Sequence, residues 1–301
     1  MQKQTSISIY TAVAVLIALT ACGSIWDLEI ANTCYVGETP SDNIFGVIFS
    51  YIGVIPTFVG WSFLGSTIFY LSKKQVEDTK KRRWLIAFSI LLLLLSVLYF
   101  CNTICFSNAN VFEVNFVVAY SIGIAVIAAA AYLGYKLSEQ SSNADLLKKA
   151  LFLAAVSLVT LVIISSAKEI MCRPRYRYVL AMGDLSYFRS WWQNGRSLKE
   201  SLGDGVISDE FTSMPSGHSA YSMFAIFIFP FLSDYVDKLK KFKPHLFALG
   251  FIWWAMTAIS RMTMGAHYLT DVTIAGLLAI FAYATVSLAK NVYLDRKRGK
   301  R

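Results

Sequence analysis

The stretch Trp84-Leu-Ile-Ala-Phe-Ser-Ile-Leu-Leu-Leu-Leu-Leu-Ser-Val-Leu-Tyr-Phe-Cys-Asn-Thr-Ile-Cys105 decides the class of fold, because it contains no charged side chain from end to end. The hydrocarbon core of a bilayer is about 30 Å thick and takes about 20 residues of helix to cross. Similar runs lie near residues 7–26, 44–71, 112–135, 150–167, 219–236, 246–260 and 270–290. None alternates apolar with polar as a barrel strand must, so each reads as a helical span. The predicted fold class is therefore all-α, a polytopic membrane helix bundle of about eight transmembrane helices in one domain.

Composition agrees. Hydrophobic residues make up 56% of the chain and charged residues 16%, against about 25% charged in soluble proteins. The net charge of +9 then reads as basic connections at helix ends rather than as affinity for nucleic acid. No glycine-rich phosphate loop, zinc-type Cys/His array or paired-carboxylate motif occurs. Neither a metal nor a nucleotide cofactor is expected.

The basic residues set an orientation. Lys73, Lys74, Lys80, Lys81, Arg82 and Arg83 crowd the second connection, Lys136, Lys148 and Lys149 the fourth, and Lys238, Lys240, Lys241 and Lys243 the sixth; Lys290, Arg296, Lys297, Arg298, Lys300 and Arg301 end the chain. Connections 29–43 and 106–111 hold no Lys or Arg. Even-numbered connections and both termini are therefore expected in the cytoplasm. Cys34, Cys101, Cys105 and Cys172 fall at the outer ends, where one or two disulfides are permitted. Leu19-Thr20-Ala21-Cys22 matches a lipoprotein cleavage box, a four-residue pattern that apolar runs produce readily by chance. Pro56 and Pro230 are expected to kink their runs, and Gly123, Ala128 to Ala131 and Gly134 to give a small-residue surface for close helix packing.

One connection breaks the charge pattern. Residues 168–217 lie on the outer side yet carry Lys168, Arg173, Arg175, Arg177, Arg189, Arg196 and Lys199, which suits an anionic substrate. Within this stretch Leu185, Phe188, Trp192, Leu198 and Leu202 recur at near-helical spacing, the pattern of an amphipathic helix at headgroup level or of a lid packed on the bundle mouth.

Three segments on that side carry chemistry. In Ser260-Arg-Met-Thr-Met-Gly-Ala-His-Tyr-Leu-Thr-Asp271, His267 and Asp271 stand at i and i+4, so a carboxylate can orient an imidazole whose other nitrogen attacks. Arg261 lies across Gly265 and offers a planar cation suited to phosphate. Met214-Pro-Ser-Gly-His218 opens the sixth run. There Ser216 can cap a helix, Gly217 lets an anion approach backbone N–H groups, and His218 adds a second imidazole. Lys168 ends the fifth run, followed by Glu-Ile-Met-Cys-Arg-Pro-Arg175.

These segments resemble the signature of the type 2 phosphatidic acid phosphatase superfamily: Lys-x6-Arg-Pro, then Pro-Ser-Gly-His, then Ser-Arg-x5-His-x3-Asp. The last two match without substitution. In the first, Lys168 and Arg175 keep the six-residue gap while Tyr176 replaces the proline, and on that spacing Arg175 is taken rather than Arg173. The resemblance implies a six-helix core within residues 84–294, interrupted by the external loop 168–217, with residues 1–75 as two added helices. It also implies a metal-independent membrane phosphatase that works through a phosphohistidine. His267 would be the nucleophile, His218 the acid and Asp271 the orienter, with Lys168, Arg175, Ser216, Gly217 and Arg261 holding phosphate. A phosphorylated lipid, met at the extracytoplasmic face of a bacterial inner membrane, is the substrate and partner expected, with no nucleic acid. A phosphotransferase using the same intermediate and a non-enzymatic anion transporter are the alternatives.

Overall fold

The computed structural model describes residues 2–36, 42–108, 116–140, 143–203 and 207–298, so Lys300, Arg301 and parts of four connections lie outside the described residues. These residues are overwhelmingly helical and contain no strand. Helices α1 (Gln2–Cys34), α2 (Ile44–Ile52), α3 (Ile55–Gln75), α4 (Thr79–Asn108), α5 (Phe116–Gln140) and α6 (Asn143–Met171) come first. After them come α7 (Tyr176–Met182), α8 (Arg196–Ser201), α9 (Gly217–Ser222), α10 (Ala225–Leu232), α11 (Lys243–Thr263) and α12 (Leu269–Arg298).

Among the described residues seven helical segments are long and apolar enough to cross a membrane, and Gly217–Leu232 is a shorter apolar one. The second of the seven is jointed. Gly53 and Val54 separate α2 from α3, and Pro56 sits in the first turn of α3, where its missing N–H costs nothing. Pro56 therefore starts a helix instead of bending one. The sixth apolar run differs more from its expected form. It breaks into α9 and α10, with Phe224 N–H donating to Tyr221 O at 3.2 Å and Ile226 N–H to Met223 O at 3.1 Å, three-residue closures that tighten the chain.

Small residues permit the closest packing. Gly123 faces Phe100 and Cys101 of α4, Gly134 faces Phe63 of α3, and a Cβ on Gly250 of α11 would stand 2.6 Å from the backbone of Ala225. Of Ala128 to Ala131, Ala130 shares the buried face with Gly123 and Gly134, as does Ala119 one turn before Gly123. The main core joins Leu16, Phe63, Val156, Met223, Trp254 and Ala279, drawn from α1, α3, α6, the joint between α9 and α10, α11 and α12. Helix α1 thus packs as an integral wall against α11 and α12. Helical geometry lapses at Trp26 (φ −123°, ψ 24°), immediately before a buried Asp27.

One expectation requires correction, and one permitted feature is not used. Residues 185–202 do not form one amphipathic helix: a 3-10 turn covers Leu185–Tyr187, the chain then runs irregularly, and α8 starts only at Arg196. Phe188 leaves the helical path because its ring packs edge-on to Tyr268, 5.4 Å between centroids. No disulfide forms, since all five cysteines are free, and Cys22 lies on an uninterrupted stretch of α1.

Candidate functional site

The site assembles where α6, α11 and α12 end or begin. At the end of α6 the chain turns through Cys172 (φ 45°) into the extended segment Arg173-Pro174-Arg175. Backbone hydrogen bonds lace this segment to the other two motifs. Ser213 N–H donates to Arg173 O at 3.0 Å, Ser216 N–H to Asp271 O at 3.1 Å, and Arg177 N–H to Gly265 O at 2.9 Å. Gly265 holds φ +62°, and a side chain there would also meet Tyr35 and Arg177 at 3.0 Å. Glycine is therefore required for the reversal that carries the chain from Arg261 to His267.

His267 is buried. Its Nδ1 lies 2.5 Å from the Ser213 carbonyl and 3.8 Å from Asp271 Oδ2. A carbonyl only accepts, so Nδ1 carries the proton and Nε2 presents its lone pair. The carboxylate of Asp271 therefore acts at ion-pair distance while the Ser213 carbonyl makes the orienting hydrogen bond. Burial, reinforced by the positive fields of Arg175 and Lys168 and opposed by Asp271, pushes the His267 pKa down to about 3. The imidazole is thus neutral at physiological pH. Asp271 is fixed on both oxygens: Arg173 donates at 2.6 Å to Oδ1, and the Ser213 hydroxyl (2.5 Å) and Tyr268 N–H (2.9 Å) donate to Oδ2.

His218 sits in the first turn of α9, buried, with no hydrogen-bond partner on Nε2. It lies within electrostatic reach of Arg261, His267, Lys168 and Arg175, so the structure gathers both imidazoles and three of the four predicted cation or carboxylate partners around one point. Ser216 caps α9, accepting from Ser219 N–H at 3.4 Å and from the Ser219 hydroxyl at 3.0 Å, which leaves its own proton for another acceptor. A Cβ on Gly217 would meet only the Lys168 side chain, at 3.9 Å, so the lysine and the start of α9 face each other across open space.

The cations are held from behind. Lys168 Nζ donates to Thr212 O at 3.0 Å. Arg175 donates to Asp209 O at 2.9 Å, to the Asp209 carboxylate at 3.0 and 3.1 Å, to Thr212 Oγ1 at 3.1 Å and to Ala266 O at 3.4 Å. Burial alone would raise the Asp209 carboxyl, but Arg175 and Lys168 hold it below the usual carboxylate range. Arg261 reaches back to α2, donating to Gly46 O at 3.1 Å, to Ser50 Oγ, and towards Met264 Sδ at 2.5 Å.

Arg173 and Arg175 have different tasks. Arg173 is wholly inaccessible and held through all three nitrogens: it donates to Asp271, to Thr270 Oγ1 at 2.9 Å, to Asp27 at 2.8 Å and to Arg189 O at 2.7 Å. The Tyr268 ring covers its guanidinium at 4.1 Å, a cation–π contact. Arg175 is the arginine beside Ala266 and the nucleophile candidate. Sequence reasoning missed Asp27, Ser213, Asp209 and Thr212 as partners of the motif residues. Among the described residues no cluster of three or more His, Cys, Asp or Glu side chains could hold a metal ion.

Such an array, two buried imidazoles ringed by Lys and Arg at the mouth of a membrane-spanning helix bundle, defines an integral membrane protein equipped to handle a phosphate-like anion. The model of the PAP2 superfamily matches residues 147–294, and this half of the chain, from α6 to α12, belongs to that superfamily. Membership points to a phosphatase-type enzyme. No curated protein and no solved structure matches the chain.

Proposed function

We propose that the protein is a metal-independent lipid phosphatase that hydrolyses a phosphate or diphosphate monoester through a phosphohistidine. His267 Nε2 attacks the terminal phosphorus, an N–P bond forms, and the P–O bond to the leaving group, the lipid alcohol of a monophosphate or the lipid phosphate of a diphosphate, breaks as His218 gives that oxygen a proton. A water molecule then loses its proton to His218 and attacks phosphorus, and the N–P bond breaks to release phosphate. Lys168, Arg175, Arg261, the Ser216 hydroxyl and the Gly217 N–H stabilise the equatorial oxygens by fixed positive charge. Asp271 offsets the charge that develops on the phosphorylated imidazole. The observation that carries this reading is the neutral, carbonyl-anchored His267 beside an unpartnered His218 Nε2, both surrounded by cations.

Support for an apolar substrate comes from a cavity of about 540 Å³ bounded by Thr57, Phe58, Leu95, Tyr99, Leu158 and Tyr221. Tyr221 follows His218 by three residues on α9, less than one helical turn. Leu95 and Leu158 are about half exposed on the bundle's flank, so the cavity opens sideways to bilayer chains. Extracytoplasmic placement is supported by Lys73, Lys74, Lys80 to Arg83, Lys148, Lys149 and Lys238 to Lys243, which lie at the helix ends opposite the site.

The test is phosphate release from a panel of lipid phosphates and diphosphates in detergent with chelator present. Loss of turnover is expected for His267→Ala. His218→Ala should lose about 2 to 4 powers of ten in rate, as for removal of a general acid. Near-normal release by His267→Ala would sink the scheme. Leu158→Trp, which fills the cavity, should raise KM for long-chain substrates and leave short-chain, water-soluble esters unaffected.

A further inference from the structure

We infer that Asp27, on a helix outside the matched superfamily segment, is a positioning residue for the reaction, acting through Arg173 on Asp271 and so on His267. The inference rests on the phosphohistidine reading above. Asp27 is a buried carboxylate near the end of a mostly apolar helix, 5% exposed, and a buried charge is costly unless it is paired. Its partners all belong to the site. Asp27 accepts from Arg173 at 2.8 Å, from Thr270 N–H at 3.0 Å and from the Thr270 hydroxyl. The irregular backbone at Trp26 lies at the point where α1 turns this carboxylate inward.

A single guanidinium thus lies between two carboxylates, Asp27 and Asp271, 2.8 and 2.6 Å away. The two share its charge. Attack by Nε2 leaves the His267 ring cationic with its proton on Nδ1, 3.8 Å from Asp271 Oδ2, and the negative charge of Asp271 favours that state. Were Asp27 neutral, Arg173 would direct its whole charge to Asp271, and one oxygen would be left to accept where two now serve Arg173 and Thr270. Asp271 would then be both shielded and less firmly aimed, which weakens chemistry without removing any group that touches phosphate. Helix α2 buttresses Arg261 in the same manner, through Gly46 O and Ser50 Oγ, so both helices preceding α3 reach the site.

The experiment measures kcat, KM and inhibition by inorganic phosphate for the full chain in detergent, for Asp27→Asn, Asp27→Glu, Arg173→Met, the Asp27→Asn/Arg173→Met double variant and His267→Ala. Expected for Asp27→Asn is a kcat lower by about tenfold, the lower end of what outer-shell partners contribute at metal ligands. KM and phosphate inhibition should stay within about twofold, because an interaction realised only in the transition state lowers kcat alone. Asp27→Glu should recover much of the loss. The double variant should be no slower than Arg173→Met, since Asp27 acts only through that arginine. Wild-type kcat in Asp27→Asn beside an inactive His267→Ala would overturn this inference alone, as would losses that multiply in the double variant. Turnover by His267→Ala would overturn the underlying reading instead. Should Asp27→Asn not accumulate as folded protein, Thr270→Val, which removes the hydroxyl that links Arg173 to Asp27 and leaves both charges in place, carries the same test: reduced kcat at constant KM supports the inference, and unchanged kcat refutes it.

Discussion

The two ends of this bundle use the same kinds of ion pair in opposite surroundings. At the site end, Arg173 and Asp271 are wholly inaccessible and Asp27 nearly so, with Thr270, Ser213 and Tyr268 N–H supplying further hydrogen bonds. At the other end, Lys149 bridges Asp145 and Asp234 at 2.9 and 3.2 Å, and Lys243 joins Asp234 at 2.6 Å. There the side chains are between 21% and 54% exposed. Distances alone would rank the two clusters as equals. Solvent separates them, because water screens the exposed pairs and releases either partner cheaply, while a buried pair leaves its survivor stranded.

The sharpest way to break this contrast is to delete one cation from each cluster. Arg173→Met leaves two buried carboxylates facing each other and should destabilise the protein by about 3 to 5 kcal/mol, read as a lower thermal or denaturant midpoint in detergent. A change under 1 kcal/mol there would mean that the burial does not matter. Next in size is a pH effect. His267 takes up a proton near pH 6.5 when unfolded but only near 3 in the folded site. Between those values the unfolded chain binds more protons, so stability rises with pH and falls as the solution is acidified below 6.5. The loss should reach on the order of 2 kcal/mol by pH 5, and His267→Gln, which cannot titrate, should flatten that slope. The smallest effect is expected at the opposite end, where Lys149→Met should cost about 0 to 1 kcal/mol and leave kcat unchanged. A loss comparable to that of Arg173→Met would erase the distinction.

How far these features can be read from the sequence follows the same division. Apolar runs and the spacings of Pro215 to His218 and of Arg261, His267 and Asp271 are local, so helical spans and motif residues were legible. Arg173 was not, because only its distant partners reveal its work: Asp27 lies 146 residues away and Asp271 98. The one hint was a carboxylate, Asp27, beside an apolar run, which periodicity cannot attach to any partner. Asp209 and Thr212 sit in a connection without repeating pattern, and their role depends on where the guanidinium of Arg175 falls. Leu185, Phe188, Trp192, Leu198 and Leu202 misled for a related reason. Their spacing promised a helix, but Phe188 finds a better contact on the Tyr268 ring, and packing overrode the local pattern.

For the proposed lipid substrate, the flank opening between Leu95 and Leu158 bears on kinetics. A lipid that slips in sideways never crosses the aqueous phase, so its arrival is a search in two dimensions. Velocity should then track the substrate's mole fraction within the micelle or vesicle, and diluting the sample with buffer at a fixed lipid ratio should leave the turnover per enzyme molecule unchanged.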